Sequence, residues 1–190
     1  MPWVRSLASN HGCAVAVLDA PGHGDRRESS TPPPLDAFLS HWGEHKGDRI
    51  AREYAAAAAA LRSTPEVGAG PIGYWGLSLA TMYGMAYLAS SGEVVAAVLG
   101  LFRKTRDLAR YAESVICPVF FLLQRDDEHH PEKKVNALFT ALASSEKHLE
   151  RNPGRHEDVP AHACQDAVAF LVDRLRAAAQ QGAGLLPEGG

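Results

Sequence analysis

Short continuous apolar runs, each closed by turn-forming residues and followed by a helical pattern, constrain this chain more than any other feature. Cys13–Leu18, Ile72–Trp75, Val94–Leu101 and Val119–Leu123 are such runs, and Lys147–Arg151 reads as a further short strand. A run that is apolar on both faces suits a strand covered on both sides, as in a parallel sheet. Between the runs lie helical patterns over Val4–Asn10, Lys46–Arg62, Leu79–Ser90, Lys104–Ala112 and Glu132–Ala143, with an amphipathic closing helix over Pro160–Ala179. The alanine run Ala55–Ala60 gives the second of these high helix propensity. Gly12 is placed to end the first in a left-handed cap. The Pro-rich segment Glu28–Pro34 excludes regular structure there. Strands alternating with helices imply an α/β fold, a mostly parallel sheet with helices on both faces.

A chain of 190 residues can bury a core without disulfides or metals. One domain over residues 1–179 is expected, with the glycine-rich stretch 180–190 as a disordered tail. The net charge of −3 argues against nucleic acid as a partner, since that binding needs a basic excess. No apolar run reaches the roughly 18 residues of a membrane helix, and the N-terminus lacks the pattern of a signal peptide. Cys13, Cys117 and Cys164 are odd in number and far apart, so neither a disulfide framework nor a zinc ribbon is indicated. These features together point to the cytoplasm.

In parallel sheets the chemistry sits past the carboxyl ends of the strands. Gly76-Leu77-Ser78-Leu79-Ala80 lies between an expected strand and an expected helix, the context a G-x-S-x-G nucleophile elbow requires. Positions two before and two after the serine must be small, and Gly76 and Ala80 are. The alternative is an ordinary strand-to-helix turn with Ser78 as N-cap. A serine hydroxyl is a weak nucleophile and needs a base, itself oriented by an acid. Two later loops supply both kinds of group. Gln124-Arg125-Asp126-Asp127-Glu128-His129-His130-Pro131 follows one strand, and Asn152-Pro153-Gly154-Arg155-His156-Glu157 follows the last. Ser78, an aspartate, then His156, each just past a strand, is the chain order of the α/β-hydrolase triad.

From about Val4 to Leu175 the chain resembles an α/β-hydrolase, and most of all the dienelactone-hydrolase-related esterases. The resemblance rests on Leu18-Asp19-Ala20-Pro21-Gly22-His23-Gly24 after a strand, Gly73-Tyr74-Trp75-Gly76-Leu77-Ser78, Asp127 four residues before Pro131, and Gly154-Arg155-His156. It implies a serine hydrolase cleaving an ester or related acyl bond without a cofactor. Ser78 would be nucleophile, His156 base and then acid, and Asp127 rather than Asp126 the orienting acid. The N–H of Leu79 would be one oxyanion donor, and Leu77 and Leu79 would flank an acyl pocket. Dienelactone hydrolases proper use cysteine where this chain has Ser78. The resemblance also implies an N-terminally shortened chain, without the strand that lies between Cys13–Leu18 and Ile72–Trp75 and without the loop giving the second oxyanion donor. The second reading is therefore a catalytically impaired hydrolase-like fragment or interaction module, with self-association through an unpaired strand edge. Only residues 102–118 separate two strands where the family often inserts a cap, so an open site is expected.

Other groups carry weaker signals. His41-Trp42-Gly43-Glu44-His45 fits the zinc pattern H-x-x-E-H, but Gly43 weakens a helix there and no further acidic ligand is evident, so solvated side chains and no metal are expected. His129 and His130 are adjacent and point apart, which suits a polar loop better than one shared ion. Asp19 is expected to cap its loop, His23 to pack, Arg26 and Arg27 to be solvated charges, Cys117 a buried thiol and Trp75 a packing residue. No phosphate-binding glycine loop of the P-loop or dinucleotide type is present.

Overall fold

A computed structural model of the chain describes residues 2–21, 23–26 and 44–183. The Glu28–Pro34 segment, Arg27, His41–Gly43 of the H-x-x-E-H pattern and the tail from Gly184 lie outside the described residues. The sheet is built from β1 (Ile72–Trp75), β2 (Val94–Gly100), β3 (Val119–Gln124) and β4 (Lys147–Asn152). They stand in the order β1-β2-β3-β4, and every neighbouring pair is parallel. The helices are α1 (α-helical over Pro2–Arg5, π-helical over Ser6–Asn10), α2 (Glu44–Arg62), α3 (Leu79–Ser91), α4 (Arg106–Ala112), α5 (Glu132–Ala141) and α6 (Ala161–Ala183).

Alternation along β2 and β3 sorts the core into two layers. Ala97, Leu99, Phe121 and Leu123 face a layer built from α2, α3, α4 and α5. Ala96, Val98, Phe120 and Leu122 face α1 and α6, through Leu7 and Ala163, Ala167, Val168, Leu171 and Val172. Cover on both faces is why these strands are apolar throughout. The termini follow local chemistry: Gly12 takes φ 68° past α1 and Gly92 φ 60° past α3, while Thr105 Oγ1 accepts the Leu108 N–H at the start of α4. Helix α6 runs four residues beyond the expected end at Ala179, so Gln180–Ala183 is helix rather than tail.

One expected element is absent. Cys13–Leu18 forms no strand. The Cys13 N–H turns back to Leu7 O at 3.0 Å, and Val17 and Leu18 are 59% and 45% exposed. The reason is a missing ladder partner. A groove of about 740 Å³ separates residues 12–18 from the edge of β1, so among the described residues the apolar run has no strand beside it to pair with. Trp75, at the end of β1, is half-buried and stacks on Trp3 at 4.6 Å.

Helix α3 packs against β1 so closely that Gly84 has no room for a side chain. A Cβ there would stand 2.2 Å from Cζ and 2.3 Å from the hydroxyl oxygen of Tyr74, whose O–H donates to Ala80 O at 2.6 Å. In an open helix Gly→Ala stabilises by about 1 kcal/mol. Here Gly84→Ala is expected to destabilise by about 1–3 kcal/mol through overpacking, read from the midpoint of urea unfolding. An unchanged or raised midpoint would mean that the Tyr74 ring moves aside freely.

His130 is a core residue, its ring tilted against that of buried Phe102 at 4.6 Å, with no partner for its Nδ1 among the described residues. Burial pulls its pKa from 6.5 down to about 4, against the opposing pull of Asp127 and with the help of His156, Arg103 and His129. The unfolded chain therefore takes up a proton that the folded chain refuses. This contribution to stability is complete above pH 6.5 and is lost as pH falls from 6.5 towards 4. His130→Phe should flatten the loss of stability in that window, measured as urea midpoints at a series of pH values. An identical slope in the variant would refute the assignment.

Candidate active site

Because all four strands are parallel, their carboxyl ends share one edge of the sheet. Ser78 follows β1, Leu101 follows β2, Asp127 follows β3 and His156 follows β4. The conformation at Ser78 separates the two readings open in the sequence. An N-cap serine has extended dihedrals and bonds the first turn with its side chain. Ser78 has φ 55° and ψ −122°, and makes no such bond. It is a non-glycine residue at positive φ, a conformation that costs on the order of 1–3 kcal/mol and persists only where the surroundings enforce it.

Those surroundings are visible. The Gly76 and Ser78 N–H groups donate to Val98 O and Gly100 O, both at 2.9 Å, carrying the β1–β2 ladder through the turn. Buried Thr81 ties the turn to the end of β2. Its Oγ1 lies 2.7 Å from Gly76 O and 2.6 Å from Gly100 O, with one hydrogen for the two, and accepts the Gly100 N–H at 2.9 Å. A Cβ on Gly76 would stand 2.7 Å from Ala80 O, and one on Gly100, at φ +146°, 2.1 Å from Leu122 O. Both glycines are therefore required by close backbone approach.

His156 Nε2 stands 2.9 Å from Ser78 Oγ, and His156 Nδ1 2.7 Å from Asp127 Oδ2. With Asp127 accepting, Nδ1 carries the proton and leaves Nε2 free to accept from the hydroxyl. The Asp127 side chain is 1% exposed and that of His156 13%. Asp127 Oδ1 also accepts the N–H groups of His129 and His130, each at 2.8 Å. The neighbouring Asp126 is exposed and turns elsewhere, its Oδ2 accepting the Gly154 N–H at 3.0 Å. The turn thus faces the Asp127 carboxylate inward to His156 and the Asp126 carboxylate out.

Leu79 opens α3, where backbone N–H groups have no acceptor within the helix. Leu77 and Leu79 are half-buried and pack on opposite core layers. Leu77 also lines the groove beside β1, which none of Ser78, Asp127 and His156 does. Asp19 Oδ2 accepts the Asp25 N–H at 3.0 Å, and Arg26 pairs with Glu53 at 2.9 Å, holding that loop to α2. His23 Nδ1 lies 3.1 Å from Pro21 O. Cys117 is half-buried, and burial pushes its thiol to about 11. The sequence reading gave no role to Thr81, Gln124 or Glu128. Thr81 lies in the first turn of α3, Gln124 ends β3 and Glu128 lies in the loop after it, and only their spacing from Ser78 and from the aspartate pair signals them.

No family model and no curated protein matches the chain. Among solved structures, it is 38% identical to a cold-adapted esterase from an Arctic intertidal metagenomic library, covering 83% of this chain and 68% of that one, with a TM-score of 0.72. A zinc-bound structure described in the same words matches at 37% identity over 74% of this chain and 65% of that one, TM-score 0.68. The chain thus spans about two thirds of the length of these relatives. The Est1E protein from Butyrivibrio proteoclasticus shares the fold at 13% identity, covering 83% of this chain and 76% of that one, TM-score 0.59. Identity of 38% over 83% of this chain and 68% of that esterase, together with a parallel sheet flanked by helices, places the chain in the α/β-hydrolase superfamily.

Proposed function

We propose that this chain is a serine hydrolase that cleaves a carboxylic ester or related acyl bond through an acyl-enzyme. The observation that carries the reading is the unbroken series Ser78 Oγ, His156 Nε2, His156 Nδ1, Asp127 Oδ2, with separations of 2.9 and 2.7 Å at its two hydrogen bonds. Ser78 attacks the ester carbonyl as its proton passes to His156 Nε2. Asp127 holds the imidazole in the tautomer that can receive it and stabilises the imidazolium. Negative charge on the carbonyl oxygen is met by the Leu79 N–H and by the positive end of α3. The tetrahedral intermediate collapses, the alcohol leaves with the proton from His156, and the acyl group stays on Ser78. Water then gives one proton to His156 and attacks the acyl-enzyme, releasing the acid and restoring Ser78. A small ester is the substrate class, and the steps require no cofactor. The esterase relative supports ester chemistry in general.

A second reading rests on the groove beside β1. A free sheet edge facing a groove is a template for another strand, and a chain pairing there with a second copy would self-associate. Light scattering after gel filtration separates the readings: a monomer across the micromolar range speaks against self-association.

Two predictions test the triad. A serine-directed phosphonate should label Ser78 alone, and Ser78→Ala should abolish labelling, as read by intact mass. Retained labelling in the variant would sink the nucleophile assignment. Asp127→Asn should lower ester turnover by about 10⁴-fold through the wrong histidine tautomer. Asp126→Asn should cost far less, since it touches only the Gly154 N–H. The reverse ranking of the two rates would refute the assignment.

A further inference from the structure

His156 belongs to no helix or strand. It rides on the loop between β4 and α6, yet its imidazole must meet Ser78 on one side and Asp127 on the other. Something must therefore fix the loop backbone as well as the ring. That something is the segment leaving β3. Buried Gln124, the last residue of β3, places its Nε2 at 2.9 Å from Asp158 O, 3.3 Å from Pro153 O and 3.4 Å from Arg155 O, two hydrogens among three carbonyls. Asp126 exchanges bonds with Gly154, accepting its N–H at 3.0 Å and donating its own N–H to Gly154 O at 3.1 Å. Glu128 Oε2 accepts the N–H of His156 itself at 3.0 Å, while Oε1 lies 2.9 Å from Arg155.

We propose that Glu128 is a positioning residue for the reaction, gripping the main chain of His156 while its neighbour Asp127 holds the ring. This rests on the triad reading above. Both carboxylates come from one turn, in which Asp127 Oδ1 also takes the N–H groups of His129 and His130. Ring and backbone of His156 are thereby referenced to the same few atoms, so the imidazole has little freedom to tilt between Asp127 and Ser78. The bond from the His156 N–H, foremost, holds the Glu128 carboxyl down at about 2. The grip thus persists throughout the range in which an imidazole changes its charge. The competing account is a plain surface ion pair between Glu128 and Arg155, whose side chains are 33% and 69% exposed. Such exposed pairs contribute little to stability.

The test compares wild type, Glu128→Ala, Glu128→Gln and Arg155→Ala in hydrolysis of p-nitrophenyl acetate, with urea midpoints and the low-field proton resonance of the His156 Nδ1–H bonded to Asp127. A misplacement of about 1 Å costs on the order of 10²-fold, so a loosened histidine should cost about tenfold in kcat. Glu128→Ala is expected to show that loss with KM and urea midpoint nearly unchanged, and to shift or broaden the resonance. Glu128→Gln should recover most of both, because its amide oxygen still accepts the His156 N–H. Arg155→Ala should resemble wild type. Wild-type kcat and an unmoved resonance in Glu128→Ala would overturn the proposal, as would equal losses in Glu128→Ala and Arg155→Ala. Should Ser78→Ala keep full turnover, the triad reading fails instead. The resonance then decides the grip alone, a shift in Glu128→Ala supporting it and none overturning it.

Discussion

Parallel pairing of β3 with β4 is the constraint on which the site depends. The ladder runs from Val119↔Lys147 to Gln124↔Asn152 and does not stop at the strand ends. Arg125 N–H donates to Asn152 O at 2.9 Å, and Asp126 N–H to Gly154 O at 3.1 Å. Two loops from different parts of the chain therefore leave the sheet side by side, and Asp127 meets His156. A slip of one residue would move one loop by about 3.3 Å and turn its side chains to the other face. That is more than the whole length of the 2.7 Å bond between Asp127 and His156. The β1–β2 pair does the same for the nucleophile, its ladder extended by the Ser78 N–H to Gly100 O.

At this end of the sheet the core changes character. Leu122 and Leu123 are wholly apolar neighbours, but Thr81, Gln124, Asp127, His130 and Asn152, all buried, gather where the strands finish. Buried polar groups are costly unless partnered, and a partnered network rigidifies what it joins. Thr81 spends its hydroxyl on the backbone of two strands at once. Gln124 spends its amide hydrogens on the histidine loop. Neutral His130 fills the space between Phe102 and His156, with ring centroids at 4.6 and 5.4 Å, without adding charge next to the base.

The sequence made the helices and four of the strands legible because their signals are local. An apolar run with cover on both faces, or an alanine run, announces itself within a few residues. The Cys13–Leu18 run carries the same signal and forms no strand. Pairing needs a second backbone, and nothing within six residues tells whether one lies alongside. Ser78, Asp127 and His156 were legible because each sits just past a strand, in an order that a known family shares. Thr81, Gln124 and Glu128 were not, because a polar residue near a strand end looks the same whether it faces water or three carbonyls. Only the register between strands distant in sequence gives those side chains their partners.

The triad and the groove are separable for a structural reason. Ser78, Asp127 and His156 hang on β1, β3 and β4, and among the described residues the bonds that fix them come from the β1–β4 half of the molecule: Gly100 and Thr81 for the serine turn, Gln124 through Glu128 for the histidine loop. Nothing in that set touches residues 12–18 on the far side of the groove. The placement of Ser78, His156 and Asp127 thus draws on none of residues 12–18. The oxyanion is different. On the proposed reading it would be met by the Leu79 N–H at the start of α3, directly after Ser78. On the same reading, the groups that move the proton are held rigid by the loops that follow β1, β3 and β4, without residues 12–18.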